Sequence, residues 1–148
     1  MKKVILYILI LLPWFLNSIL TQDTSLYDKI ILPKFAPPGY LFGIIWTIIY
    51  FIIAYVIFKI IEKNSLNKKL KSIIIINYIF NQSFSIIFFI FNSLFFGYVV
   101  SLITFLTSIN LFIEIRKINY KLSLSLIPYM IWTLFTTILS VSIYLLNP

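Results

Sequence analysis

Residues 73–113, IIIINYIFNQSFSIIFFIFNSLFFGYVVSLITFLTSINLFI, decide the fold of this chain. The run is mostly apolar and free of charge, and Asn92-Ser93 is the only plausible turn inside it. One helical crossing of a bilayer takes about 20 apolar residues. The run is therefore two crossings folded back at Asn92-Ser93. Alternating segments of about ten residues would mark a membrane β-barrel. The continuous runs here mark helices instead.

Outward from this pair the same reading repeats. An apolar run over residues 4–20 follows Lys2 and Lys3, another spans 41–58, and a last one spans 122–146. The expected architecture is an all-α integral membrane protein. It is a single domain over 1–148, a bundle of five transmembrane helices at about 3–21, 39–61, 70–91, 94–115 and 122–146. A long first loop covers 21–38. The first run has the charged start of a secretory leader, but Asn17-Ser18-Ile19 is a poor small-residue cleavage site. It is read as a retained helix.

Composition agrees. The chain of 148 residues is 61% hydrophobic and 11% charged, which is too much apolar surface for a water-soluble core of this size. It has neither Cys nor His, so disulfides and the common side-chain ligands of zinc, iron–sulfur clusters and haem iron are absent. No metal site is expected. The net charge of +8 is read as topology and not as nucleic-acid binding. Five crossings put Lys2, Lys3, Lys59, Lys63, Lys68, Lys69, Lys71, Arg116, Lys117 and Lys121 on one side, and Lys29 and Lys34 on the other. Positive loops stay inside, so the N-terminus is expected in the cytoplasm, with the first loop and C-terminus outside.

Polar side chains inside a bilayer tend to face protein and not lipid. Three spans carry such faces at helical spacing. The second has Phe42, Trp46, Tyr50 and Ala54. The third has Asn77, Asn81 and Ser85. The fifth has Pro128, Trp132, Thr136, Ser140 and Tyr144. Ser101, Thr104 and Ser108 of the fourth span are read as helix-packing residues, and Trp14 as part of an interfacial aromatic belt. The stripes fit either helix–helix packing or an internal ligand pocket. The outer loop approaches the second span through Pro33, Lys34, Phe35, Pro37 and Pro38, a stiff segment suited to a lid. Thr24 to Tyr27 are suited to opening a short helix.

Three motifs run through these residues. The first is P-x-F-x-P-P-x-x-x-F-x-x-x-W-x-x-x-Y, from Pro33 through Phe35, Pro37, Pro38, Phe42 and Trp46 to Tyr50. The second comprises Asn77, Asn81, Phe84, Ser85, Phe88 and Phe89. The third is Pro128, Tyr129, Trp132, Phe135, Thr136 and Thr137. In this order and spacing the chain resembles the tryptophan-rich sensory protein and translocator protein family, also called peripheral benzodiazepine receptor-like proteins. The resemblance implies a five-helix bundle, commonly a homodimer, with a pocket that opens towards the first loop. It also implies binding of a porphyrin, protoporphyrin IX or haem, as ligand, with no obligatory cofactor.

The ligand-binding set it implies is Phe42, Trp46, Tyr50, Asn77, Asn81, Ser85, Tyr129, Trp132, Phe135, Thr136 and Ser140. Light- and oxygen-dependent porphyrin breakdown is the one enzymatic activity it implies, with Trp46 and Trp132 as the catalytic pair. Transport of a sterol or another hydrophobic small molecule is a further alternative. Against the family pattern, Phe35, Tyr40, Phe84 and Tyr144 stand where Trp is usual, and Asn77 stands for Gln. No basic residue follows Tyr144, so sterol ranks below porphyrin. Lys34 is the expected partner for a propionate.

Overall fold

In the computed structural model, which describes residues 2–16 and 25–148, the chain is all helix and turn, with no strand among the described residues. The first run forms α1 (Lys2–Leu11), continued by a 3₁₀ turn at Leu12–Phe15. Pro13 has no N–H to give to Leu9, which favours the tighter turn here. The expected first span runs on to residue 21, and its part beyond 16 lies outside the described residues. Helix α2 is short (Ser25–Lys29). It begins one residue after Thr24, which also lies outside them.

Four helical segments among the described residues are long and apolar enough to cross a membrane: 39–62, 68–90, 94–118 and 120–146. The first is α3 (Gly39–Glu62). Its end is a left-handed turn on Asn64 (φ 52°), with Ser65 N donating to Ile60 O at 3.0 Å and Asn64 N to Ile61 O at 3.0 Å. This is how an Asn closes a helix without glycine. Helix α4 (Lys68–Ser85) starts at Asn67, whose Oδ1 caps Leu70 N at 2.8 Å. It passes into a π turn at Ile86–Ile90. Asn92 (φ 50°) then reverses the chain into α5 (Leu94–Ile118), so the break expected at Asn92-Ser93 is where it occurs.

The last apolar run is not one helix. A short α6 (Tyr120–Leu124) is separated by a turn from α7 (Ile127–Leu146). Pro128 cannot donate to the carbonyl of Leu124. Leu126 N bonds Ser123 O at 2.9 Å instead, and the ladder restarts with Met130 N on Leu126 O at 3.0 Å.

Helix α5 packs against α7 and α4, and α1 against α3. Two carboxylates staple one end of the bundle. Glu62 joins Lys3 of α1 (2.6 Å) to Lys59 (2.9 Å), and Glu114 joins Lys69 of α4 (2.7 Å) to Lys117 (2.6 Å). Pairs this exposed contribute roughly 0–1 kcal/mol each. Their larger meaning is geometric, since they bring the starts of α1 and α4 and the ends of α3 and α5 to one cationic face. The larger apolar core lies towards this end, around Ile53, Ile60, Leu70, Leu111, Ile115 and Leu126. A smaller cluster of Tyr27, Phe88, Leu139 and Ile143 forms the other.

Trp14 corrects the expectation of an aromatic belt. It is only 3% exposed, with its ring 5.7 Å from Tyr50 and 5.1 Å from Tyr78. The 3₁₀ turn at Pro13 carries it inward. Tyr78 Oη donates to Pro13 O (2.9 Å) and Gln82 Nε2 to Trp14 O (3.3 Å), so this turn is fastened to α4.

Candidate functional site

A cavity of about 470 Å³ lies in the bundle and is bordered by residues of α2, α3, α4, the π turn, α5 and α7. That volume falls within the roughly 300–1,000 Å³ usual for small-molecule sites. Helix α3 supplies Phe42, Trp46 and Tyr50, the i, i+4, i+8 face read from the sequence. The rings form a continuous wall. Trp46 stacks on Tyr50 at 5.5 Å and 29°. Behind it, Trp132 meets Trp46 edge-on at 6.4 Å, packs on Phe42 at 5.5 Å and stacks on Phe135 at 5.2 Å. Offset and edge-on pairs of this kind are favourable by about 0.5–1.5 kcal/mol beyond burial.

The polar face of α4 divides. Asn81 and Ser85 border the cavity, but Asn77 does not. Asn77 is fully buried and its amide is used by its neighbours. Tyr129 Oη donates to Oδ1 at 2.8 Å, and Nδ2 donates to Thr107 Oγ1 at 2.9 Å and Thr104 O at 3.3 Å. Asn81 links the same network to the wall: Tyr50 Oη donates to Oδ1 at 3.2 Å, and Nδ2 donates to Tyr129 Oη at 3.4 Å. Asn77 and Tyr129 thus hold three helices together, and Asn81 is the member that reaches the void.

Thr136 and Ser140 of α7 border the cavity as the sequence suggested, whereas Tyr129, Trp132 and Phe135 stand behind its wall. The Trp132 Nε1–H is buried without a protein partner. Sequence reasoning missed Ser101 and Thr104 on α5, which it took for packing residues, and the Phe84, Phe88 and Phe89 group on the α4 side. The last three lay in the second motif but were not counted as lining. Several lining hydroxyls are engaged by their own helices: Thr47 donates to Gly43 O, Ser101 to Tyr98 O, Thr104 to Val100 O and Thr136 to Thr133 O. Each oxygen keeps lone pairs to offer a ligand.

None of Pro33, Lys34, Phe35, Pro37 and Pro38 borders the cavity. Two of them touch residues at or near its wall. Pro37 O accepts from Tyr27 Oη at 2.9 Å, and Phe35 meets Phe135 at 6.2 Å. Lys34 is exposed, and the charged side chain at the border is Asp28. The segment after α2 is tied to the end of α7 by a two-way amide clasp: Ile31 N donates to Asn147 Oδ1 and Asn147 Nδ2 to Ile31 O, each at 2.9 Å. Asn147→Ala should loosen this segment at little cost to global stability, because exposed hydrogen bonds contribute only about 1 kcal/mol net. Hydrogen exchange of the amides around Ile31 is expected to quicken about fivefold, a local opening change of roughly 1 kcal/mol. Unchanged exchange there would show that the clasp does not hold the loop.

No group of three metal-ligating His, Cys, Asp or Glu side chains occurs among the described residues. The arrangement is that of a helical membrane protein with an aromatic-walled internal void and a loop tethered to the end of its last helix. The TspO/MBR family model matches residues 4–146, and the chain belongs to that family. It is 32% identical to the tryptophan-rich protein TspO of Bacillus cereus, over 99% of both chains. It is also 30% identical to the uncharacterized membrane protein YtaB of Bacillus subtilis, over 84% of this chain and 82% of that one. With the tryptophan-rich protein TspO of Chlorobaculum tepidum it shares 26% over 82% of this chain and 79% of the relative.

Proposed function

We propose that this protein binds a porphyrin such as protoporphyrin IX in the cavity, as a membrane receptor, scavenger or translocator. The observation that carries this reading is the void of about 470 Å³ with Phe42, Trp46 and Tyr50 on one wall and Phe84, Phe88 and Phe89 on another. Rings on two sides suit a broad, flat, apolar ligand that gains most from stacking. Asn81, Ser85, Ser101, Thr104, Thr136 and Ser140 add a polar strip for its heteroatoms. The chain has no His or Cys, so a haem would find neither of the common axial ligands, and a ring held by shape fits better. Asp28 at the rim disfavours a second negative charge beside it, so the propionates would lie away from α2.

In this reading α1 is the first of five crossings. The cationic end formed by α1, α3, α4 and α5 then faces the cytoplasm by the positive-inside rule, and the rim of the cavity faces outward.

The test is quenching of intrinsic tryptophan fluorescence by protoporphyrin IX in the purified protein. Trp46→Leu combined with Phe84→Leu removes one ring from each wall. Two stacking contacts at about 1 kcal/mol each predict a dissociation constant raised roughly thirtyfold, read from the porphyrin's own fluorescence. Wild-type affinity in the folded double variant would overturn the proposal.

A further inference from the structure

Gly97 of α5 needs an explanation that backbone geometry does not supply. No glycine has a positive φ, and a glycine inside a helix is costlier than alanine. A Cβ placed at Gly43 would meet nothing within 4 Å, and one at Gly39 would make an ordinary 3.8 Å contact. At Gly97 it would stand 2.9 Å from Phe88 Cδ2, with Phe88 Cβ at 3.6 Å and Cγ at 3.7 Å. A methyl group does not fit there unless the Phe88 ring moves.

The ring has little freedom to do so. Phe88 is 2% exposed and roots in the π turn, whose backbone is closed by Phe91 N on Ile86 O (3.0 Å) and Ser93 N on Ile87 O (3.1 Å). Its ring stacks on Phe84 at 5.4 Å and 19° and meets Phe89 edge-on at 5.0 Å. The open space beside it is the cavity, whose wall it forms. Such π turns recur where a helix must re-aim side chains at a site.

We propose that Gly97 sets the width of ligand the cavity admits, by giving the Phe88 ring room to lie back against α5. Alanine at 97 pushes that ring into the void and narrows it. Gly97 touches no ligand itself and acts through Phe88, so it is a specificity-determining residue and not a contact. The proposal rests on the cavity holding a ligand, but not on that ligand being a tetrapyrrole.

The full-length protein is titrated with a wide probe, protoporphyrin IX, and a narrow one, 1-aminoanthracene. Gly97→Ala is expected to raise the dissociation constant for protoporphyrin IX at least tenfold and to change that for 1-aminoanthracene less than twofold. Adding Phe88→Leu to Gly97→Ala should recover most of the wide probe's affinity, short of wild type by the roughly fivefold that one lost stacking contact is worth. Two results would overturn the proposal: both probes binding Gly97→Ala as they bind wild type, or both weakening equally without rescue. If wild type takes 1-aminoanthracene but not protoporphyrin IX, the tetrapyrrole reading fails. Perylene then serves as the wide probe and must show the same dependence on Gly97, or the width proposal fails too. Should Gly97→Ala not fold, Phe88→Leu alone decides. It should tighten binding of the bulkier meso-tetraphenylporphyrin at least fivefold, or of a tert-butyl perylene where porphyrins do not bind, and no change in that probe counts against the proposal.

Discussion

Asn77→Leu is expected to lower the stability of this protein by about 2 kcal/mol while leaving its cavity open. The substitution keeps the volume but leaves the Tyr129 hydroxyl, now bonded to Asn77 Oδ1 at 2.8 Å, without an acceptor. A buried donor left unpaired costs roughly 1–3 kcal/mol, and polar contacts between membrane helices contribute roughly 0.6–2 kcal/mol. At about 2–4 °C per kcal/mol for a chain of this size, the apparent Tm in detergent should fall by roughly 4–8 °C. Tyr129→Phe added to Asn77→Leu should recover part of that loss, since the orphaned hydroxyl is then gone and the one donor it leaves, Asn81 Nδ2, gives up only a 3.4 Å bond and reaches the cavity. A drop of less than a degree, together with lost porphyrin binding, would instead make Asn77 a ligand residue.

That contrast marks the boundary of what the sequence carried. The two crossings in 73–113, their reversal at Asn92 and the Phe42–Trp46–Tyr50 wall all follow from local spacing, because hydrophobic length and a four-residue repeat are properties of one helix. Which way an amide is spent is not local. Asn77 and Asn81 are equivalent by periodicity. Thr104 and Thr107 of α5 and Tyr129 of α7 decide that the first is sealed in, while the second also reaches the void. Ser101 and Thr104 looked like packing residues for the same reason. Trp14 moved from the expected interface into the core because Pro13 tightens the backbone, and the fracture of the last span at Pro128 has the same cause. The π turn has no signature in the run IIFFI, so the inward set of Phe88 was invisible until the helices were placed.

Ser140→Phe is expected to weaken porphyrin binding about a hundredfold and cost nothing in stability. Ser140 is 3% exposed and borders the cavity from α7. In a filled core, forcing in a large side chain costs about 1–3 kcal/mol. Here the phenyl ring has a void of about 470 Å³ to enter and buries its own apolar surface at roughly 25 cal/mol per Å², so the Tm should hold or rise. The ring then occupies space that a tetrapyrrole needs, and affinity for protoporphyrin IX should fall about a hundredfold, near 2.8 kcal/mol. The matched control is Ser108→Phe on α5. Ser108 is fully buried, hydrogen-bonded to Thr133 at 3.2 Å, and does not border the cavity, so the same change there should destabilise. The two variants separate a bundle built around a ligand from one that is merely packed with small residues. If Ser140→Phe lowered the Tm as much as Ser108→Phe and still bound the porphyrin, α7 would be closed against its neighbours in solution, and the ligand would have to sit elsewhere.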